Sequence, residues 1–184
     1  MKPYTWKEAF EDALEAAKRG KPEYQTFVGY CFDIGKGVKC DPKMAKYWYT
    51  KAARNGNSDA IFNLALSYDH GSLGLRKNRR RAVQLYRQAA LKGHLQSQTN
   101  LAAILLEGNG KKDSAEGARW MRKAAQRGDD LAQYNLGRSY AYGEDGLQKN
   151  AALAKKWLSK AQKQGHLKAR RLLNSKYLKE ASRT

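Results

Sequence analysis

A chain of 184 residues, 41% hydrophobic and 10% aromatic, carries enough apolar material to bury a core of its own. Thirty-six Lys and Arg against 17 Asp and Glu leave a formal charge of +19, which points to an anionic partner: nucleic acid, an acidic protein surface or anionic lipid. Three prolines and no Ser/Gly/Pro-rich linker predict one continuous unit; with no apolar run long enough for a signal-peptide core or a membrane span, a cytoplasmic protein is expected. In such a chain Cys31 and Cys40 are expected as reduced thiols.

In chain order, Thr5 and Glu8 have capping-box spacing and open a helix over residues 5–19. Beyond it the sequence repeats. Glycines recur at Gly20, Gly56, Gly93, Gly128 and Gly165, in steps of 36, 37, 35 and 37 residues. Each of the first four is preceded by an alanine pair, as at Ala52-Ala53 and Ala124-Ala125, and four of the five by large apolar anchors such as Trp48, Tyr86, Trp120 and Trp157. A second block moves in step: Val28-Gly29, Leu64-Ala65, Leu101-Ala102 and Leu136-Gly137, each followed by a large residue (Phe32, Tyr68, Leu105, Tyr140) and a glycine (Gly35, Gly71, Gly108, Gly143).

Each period therefore holds two helices. In the first, Ala60, Leu64 and Tyr68 fall on one face, and Gly or Ala at 29, 65, 102 and 137 lets a neighbour approach. The glycine-bearing stretches 35–37, 71–74, 108–110 and 143–146 stop it. The second helix is predicted to start at the N-caps Asp41, Asn78, Asp113 and Asn150, whose side-chain oxygens accept free N–H groups of the first turn. Ala45, Ala82, Ala118 and Ala154 join its buried stripe. Residues 166–180 align with a first helix alone. The expected architecture is an all-α solenoid of about ten helices: an N-terminal helix (1–20), four hairpins (21–56, 57–93, 94–128, 129–165) and a C-terminal helix (166–184).

The runs Leu136-Gly137, Tyr140 and Gly143 followed by Trp157, Lys160 and Ala161, and Val28-Gly29, Gly35, Gly37, Asp41, Ala45, Trp48-Tyr49, Ala52-Ala53 and Gly56, resemble the Sel1-like repeat over almost the whole chain. The spacing fits that repeat better than the roughly 34-residue tetratricopeptide period. The resemblance implies a right-handed α/α superhelix that mediates protein–protein contacts without catalysis. It also implies a role such as a bacterial adaptor, a regulator, or an immunity protein that neutralises a toxin. Some exported members carry a disulfide in each repeat; Cys31 and Cys40 have no counterparts in later repeats, so that pattern is missing.

No catalytic residue, metal site or cofactor is expected. His94 and His166 follow the helix-ending glycines, where Asn57 and Asp129 stand in other repeats, and read as cap residues; His70 stands alone. Asp129-Asp130 and Glu144-Asp145 lack a partner base or nucleophile at a defined spacing. The glycine loops lack a phosphate-loop pattern.

Two surfaces compete for a partner, with the groove expected as the primary site. By analogy with related superhelices, a concave groove would be lined by Thr26 and Tyr30; Phe62, Asn63 and Leu66; Thr99, Asn100 and Ala103; Tyr134, Asn135, Arg138 and Tyr142; and Arg171. Its aromatics would act as anchors and its arginines as ionic partners, although some of these residues could simply pack between hairpins. The other surface is a one-signed basic stripe on the second helices, with Arg76, Lys77, Arg79, Arg80, Arg81 and Arg87 and no acid between Leu73 and Lys92. Lys111, Lys112, Arg119, Arg122, Lys123 and Arg127 follow at similar places. An acidic protein partner is the first expectation, binding a chain that is monomeric. Nucleic acid on the basic stripe is the alternative, disfavoured by the lack of a stacking platform. A peripheral role at an anionic membrane ranks behind both.

Overall fold

The computed structural model describes residues 5–107, 111–175 and 178. These hold ten α-helices and no strand: α1 (Trp6–Lys18), α2 (Pro22–Ile34), α3 (Pro42–Arg54), α4 (Ser58–His70), α5 (Arg79–Leu91), α6 (Leu95–Glu107), α7 (Lys111–Gln126), α8 (Asp130–Tyr142), α9 (Ala151–Lys163) and α10 (Leu167–Leu173). The chain divides into two compact units, residues 1–94 and 95–184. The first consists of α1 and the hairpins α2–α3 and α4–α5. The second consists of the hairpins α6–α7 and α8–α9 and then α10.

Local chemistry sets the helix limits. Thr5 and Glu8 form the capping box that opens α1, with Thr5 N donating to Glu8 Oε2 at 2.7 Å and Glu8 N donating to Thr5 Oγ1 at 3.3 Å. Asp41, Asn78 and Asn150 each accept a backbone N–H of the first turn of α3, α5 and α9. Asp113 does not: α7 starts at Lys111, so Asp113 lies inside the first turn, as an acid favourable to the helix dipole. Glu116, three residues further on, accepts from Trp120 Nε1 at 3.2 Å. The stretch 108–110 and residues Lys176, Lys179 and Glu180 lie outside the described residues. The first helices α2, α4 and α8 end on Gly35, Gly71 and Gly143, at φ of 70°, 78° and 73°, where a side chain would be strained.

In the first unit, α1 lays Phe10, Ala13 and Ala17 against Val28, Cys31 and Trp48, with Phe27, Phe32 and Val38 closing the edges. In the second, Met121, Ala124 and Ala125 of α7 pack on Ala102, Ala132 and Leu136, and Ala154, Leu158 and Ala161 of α9 pack on Ala141, Ala169 and Leu178. The small positions set the helix spacing. A methyl group built on Gly29 would lie 2.7 Å from the Tyr49 ring, and one on Gly137 would lie 2.7 Å from Leu158 Cγ and 3.0 Å from Leu158 N. Gly117 is as tight against Leu106, at 2.8 Å.

A second device recurs in three of the four repeats, Ile61 taking its place in the other, and periodicity alone did not reveal it. Gln25 is fully buried; its Nε2 donates to Ala17 O at 3.1 Å and its Oε1 accepts from Asn55 Nδ2 at 3.1 Å. Gln133 repeats this, donating to Ala125 O at 3.1 Å and accepting from Gln164 Nε2 at 2.9 Å. Gln98, at the same repeat position, accepts from Arg127 Nη1 at 3.2 Å. A buried amide satisfied at both ends fixes the register of one hairpin on its neighbour.

Gly137→Ala tests the close approach. Alanine favours a helix by about 1 kcal/mol over glycine, while overpacking costs about 1–3 kcal/mol. Because backbone atoms of α9 block the added methyl, a net loss of stability is expected in urea denaturation followed by circular dichroism. A midpoint equal to or above that of the parent protein would contradict it.

Candidate functional site

The expected groove residues divide into those the fold has already engaged and those left open. In the first unit, Phe62 of α4 is half-buried, stacked on the His94 ring at 4.5 Å and tilted against Tyr86 at 6.0 Å. His94 is also held by Asp59, Nε2 to Oδ1 at 3.3 Å. Asn63 and Leu66 are half-buried, and the Asn63 carbonyl accepts from Ser67 Oγ at 2.8 Å. Thr26 is half-buried and donates its hydroxyl to Pro22 O at 2.9 Å. Tyr30 remains 40% exposed.

In the second unit the pattern recurs. Tyr134 stacks on His166 at 4.5 Å, while His166 Nδ1 caps α10 by accepting from Ala169 N at 3.2 Å. Thr99 is only 4% exposed, its hydroxyl turned to Leu95 O at 3.4 Å. Asn100 is half-buried. Ala103, Asn135 and Arg138 line a small pocket of about 260 Å³ with Leu106, Glu107, Met121 and Asp145. Arg138 Nε lies 3.2 Å from Glu144 Oε2, an ion pair whose angle falls short of a hydrogen bond. Asp145 accepts from the Ser139 hydroxyl. Tyr142 is 47% exposed, and Arg171 of α10 is exposed beside Leu167, Arg170 and Asn174.

Of the expected groove residues, Phe62 and Tyr134 thus stack on rings of their own unit and Thr99 is buried. Phe62 and Tyr134 hold one repeat position, and each packs on a histidine at the boundary with the following repeat, whereas Thr99 at the same position bonds back to Leu95 of its own helix. The sequence carried a signal for this: His94 and His166 stand in register with each other and follow the aromatics at nearly equal spacing. Arg138 is likewise neutralised by its own chain.

The basic residues behave differently. Arg76, Lys77, Arg79, Arg80 and Arg81 are exposed, and only Arg87 of the set is half-buried. Arg76 and Lys77 precede α5, and the three arginines that follow form its first turn, so the charge is gathered at a corner of the α4–α5 hairpin and not spread along the helix. Other cations lie over tryptophan rings three residues earlier: Lys51 on Trp48 at 5.2 Å, Lys123 on Trp120 at 5.2 Å and Lys160 on Trp157 at 4.8 Å.

Chemistry beyond binding finds little material. Among the described residues no three His, Cys, Asp or Glu side chains gather around a possible metal position. Cys31 is fully buried, which pushes its thiol above the ordinary range; Cys40 is exposed, its sulfur 3.3 Å from Asp33 O, and neither forms a disulfide. Burial, reinforced by the charge of Asp33, raises the Tyr49 phenol, which donates to Asp33 Oδ2 at 3.3 Å. Among the described residues no helix is long and apolar enough to cross a membrane.

Comparison with known families matches the Sel1 repeat at residues 22–57, 58–94, 95–129 and 130–166. The chain is 35% identical over 124 residues to a chitin synthase regulator of Saccharomyces cerevisiae, covering 66% of this chain and 18% of that protein. It is 32% identical over 176 residues to chitin synthase regulatory factor 3 of Schizosaccharomyces pombe, covering 92% of this chain and 19% of that protein. The chain thus spans about a fifth of the length of these curated relatives. Among solved structures, a protective antigen of uropathogenic Escherichia coli with the same repeat fold superposes with a TM-score of 0.81 at 35% identity, over 87% of this chain and 34% of that one. The fold class is the all-α solenoid that the repeats predict.

The contrast between the two cysteines gives a direct check on the packing. Cys40 is expected to react with a thiol reagent in the native protein, and Cys31 only after denaturant is added. Release of two thiols at one fast rate from the native protein would contradict the packing of α2 against α1.

Proposed function

Because the chain belongs to the Sel1 repeat family, whose members are typically non-catalytic interaction scaffolds, we propose that it is a non-enzymatic protein-binding module whose partner is acidic. The observation that carries this reading is the exposed cluster Arg76, Lys77, Arg79, Arg80 and Arg81 in a segment that contains no acid from Leu73 to Lys92. Solvated helix faces usually mix signs. A one-signed face speeds encounter with an opposite charge and repels wrong partners.

The module could take two concrete forms, an immunity protein that neutralises a toxin or an adaptor that regulates another protein. The regulators among the relatives favour the adaptor. Two unpaired thiols fit a reducing compartment such as the cytoplasm. Tyr30, Tyr142 and Arg171 are the groove residues left exposed, and they supply a secondary contact at most.

The reading also separates from nucleic-acid binding. Exposed aromatics at which bases would stack do not accompany the arginine cluster, where Tyr86 is buried and Tyr68 half-buried.

The test is calorimetric titration of the partner, isolated on the immobilised chain, at rising salt. Affinity is expected to fall as salt rises, and Lys77→Glu with Arg80→Glu to weaken binding at least about tenfold. A salt-independent affinity that survives the double reversal would overturn the proposal. Recovery of nucleic acid in place of an acidic protein would do the same.

A further inference from the structure

In the first unit both hairpins turn the same corner. The first helix stops on a left-handed glycine, Gly35 or Gly71, and the chain crosses to the cap of the second helix. The cap backbone then returns to the first helix by the same bond, Asp41 N donating to Phe32 O at 2.9 Å and Asn78 N donating to Tyr68 O at 2.7 Å. The two corners are therefore in register, with Lys39 equivalent to Arg76 and Lys43 to Arg80. Lys39, Lys43, Arg76, Lys77 and Arg80 are all exposed, and among the described residues none of these five side chains forms a salt bridge.

The nearby carboxylates Asp33, Asp41 and Asp69 keep their charge but form no ion pair with these cations. Asp41 accepts the Lys43 and Met44 N–H groups, Asp33 accepts from Tyr49, and Asp69 is half-buried. Arginines in the first turn of α5 also oppose the positive end of that helix, where acids are ordinarily favoured. The arrangement works against the isolated fold and in favour of a bound anion.

We propose that these two corners form one docking ridge for an extended Asp/Glu-rich segment of a protein partner. This rests on the acidic-partner reading above and names its contact surface. Packed helices stand about 8–10 Å apart, and an extended chain advances about 3.3 Å per residue. Equivalent corner residues lie two helices apart, so acids repeated along an extended segment, several residues from one contact to the next, would meet successive corners. Phe32 and Tyr68 are half-buried, but Trp6, under Lys36 beside Gly37, and Tyr47, one turn from Lys43, are exposed, so a nucleic-acid strand is the competitor that the binding test has to exclude.

Fluorescence anisotropy with a labelled peptide carrying glutamate at every third position tests this on the full chain. Lys39→Glu with Lys43→Glu, and separately Arg76→Glu with Arg80→Glu, should each weaken binding at least about fivefold, whereas Lys156→Glu with Lys163→Glu in the second unit should change it less than about twofold. All six positions are exposed, and circular dichroism confirms that the variants remain folded. Equal losses from all three pairs would reduce the ridge to bulk charge and overturn the inference. Stronger binding of a single-stranded oligonucleotide than of the peptide would also overturn it. If the natural acidic partner still binds tightly to both corner variants, the ridge is wrong while the acidic-partner reading stands.

Discussion

The structure depends on how closely its helices approach at positions without a side chain. At Gly137 and Gly29 the facing Leu158 and Tyr49 occupy the space a methyl group would need. Alanines elsewhere in the same stripes keep the separation short. At that spacing a buried amide reaches from one hairpin to the next. Gln25 and Gln133 each donate to the last turn of the preceding second helix and accept from the end of the following one. Dispersion at the close approach and directional hydrogen bonding at the amide act together: the first sets distance and the second sets register.

That economy has a consequence for function. The residues that look most like interface anchors, Phe62 and Tyr134, face the start of the following repeat and stack on histidines that end one repeat and begin the next. Arg138, the obvious ionic contact of the groove, is neutralised by Glu144. What the fold leaves uncommitted is charge. The corners of the first unit carry exposed cations whose local carboxylates are already engaged as a cap or a phenol acceptor. In the proposed account the repeat residues build the scaffold, and residues outside the repeat pattern choose the partner.

Most of the fold was legible in the sequence because glycines, alanine pairs and aromatic anchors recur in register. Each has a local physical reason to stand where it does, so ten helices and most of their caps could be read directly. Asp113 misled because a good cap residue is also a good first-turn residue, and one extra turn upstream changes its role without changing its type. The buried glutamines were not found because a polar residue on a helix, even a recurring one, reads as surface until its partners, 8 and 30 residues away for Gln25, are known. The groove was the least legible part. Which face an aromatic presents depends on the ring it meets in the next repeat, and periodicity within one helix does not contain that.

The most direct test of the central claim, that the corners and not the groove meet the partner, is hydrogen exchange of the chain with and without its acidic partner. The account predicts slowed exchange at the corner amides around residues 36–41 and 72–78, with little change along α6 and α8. Protection confined to α4, α6 and α8, with the corners unaltered, would contradict it.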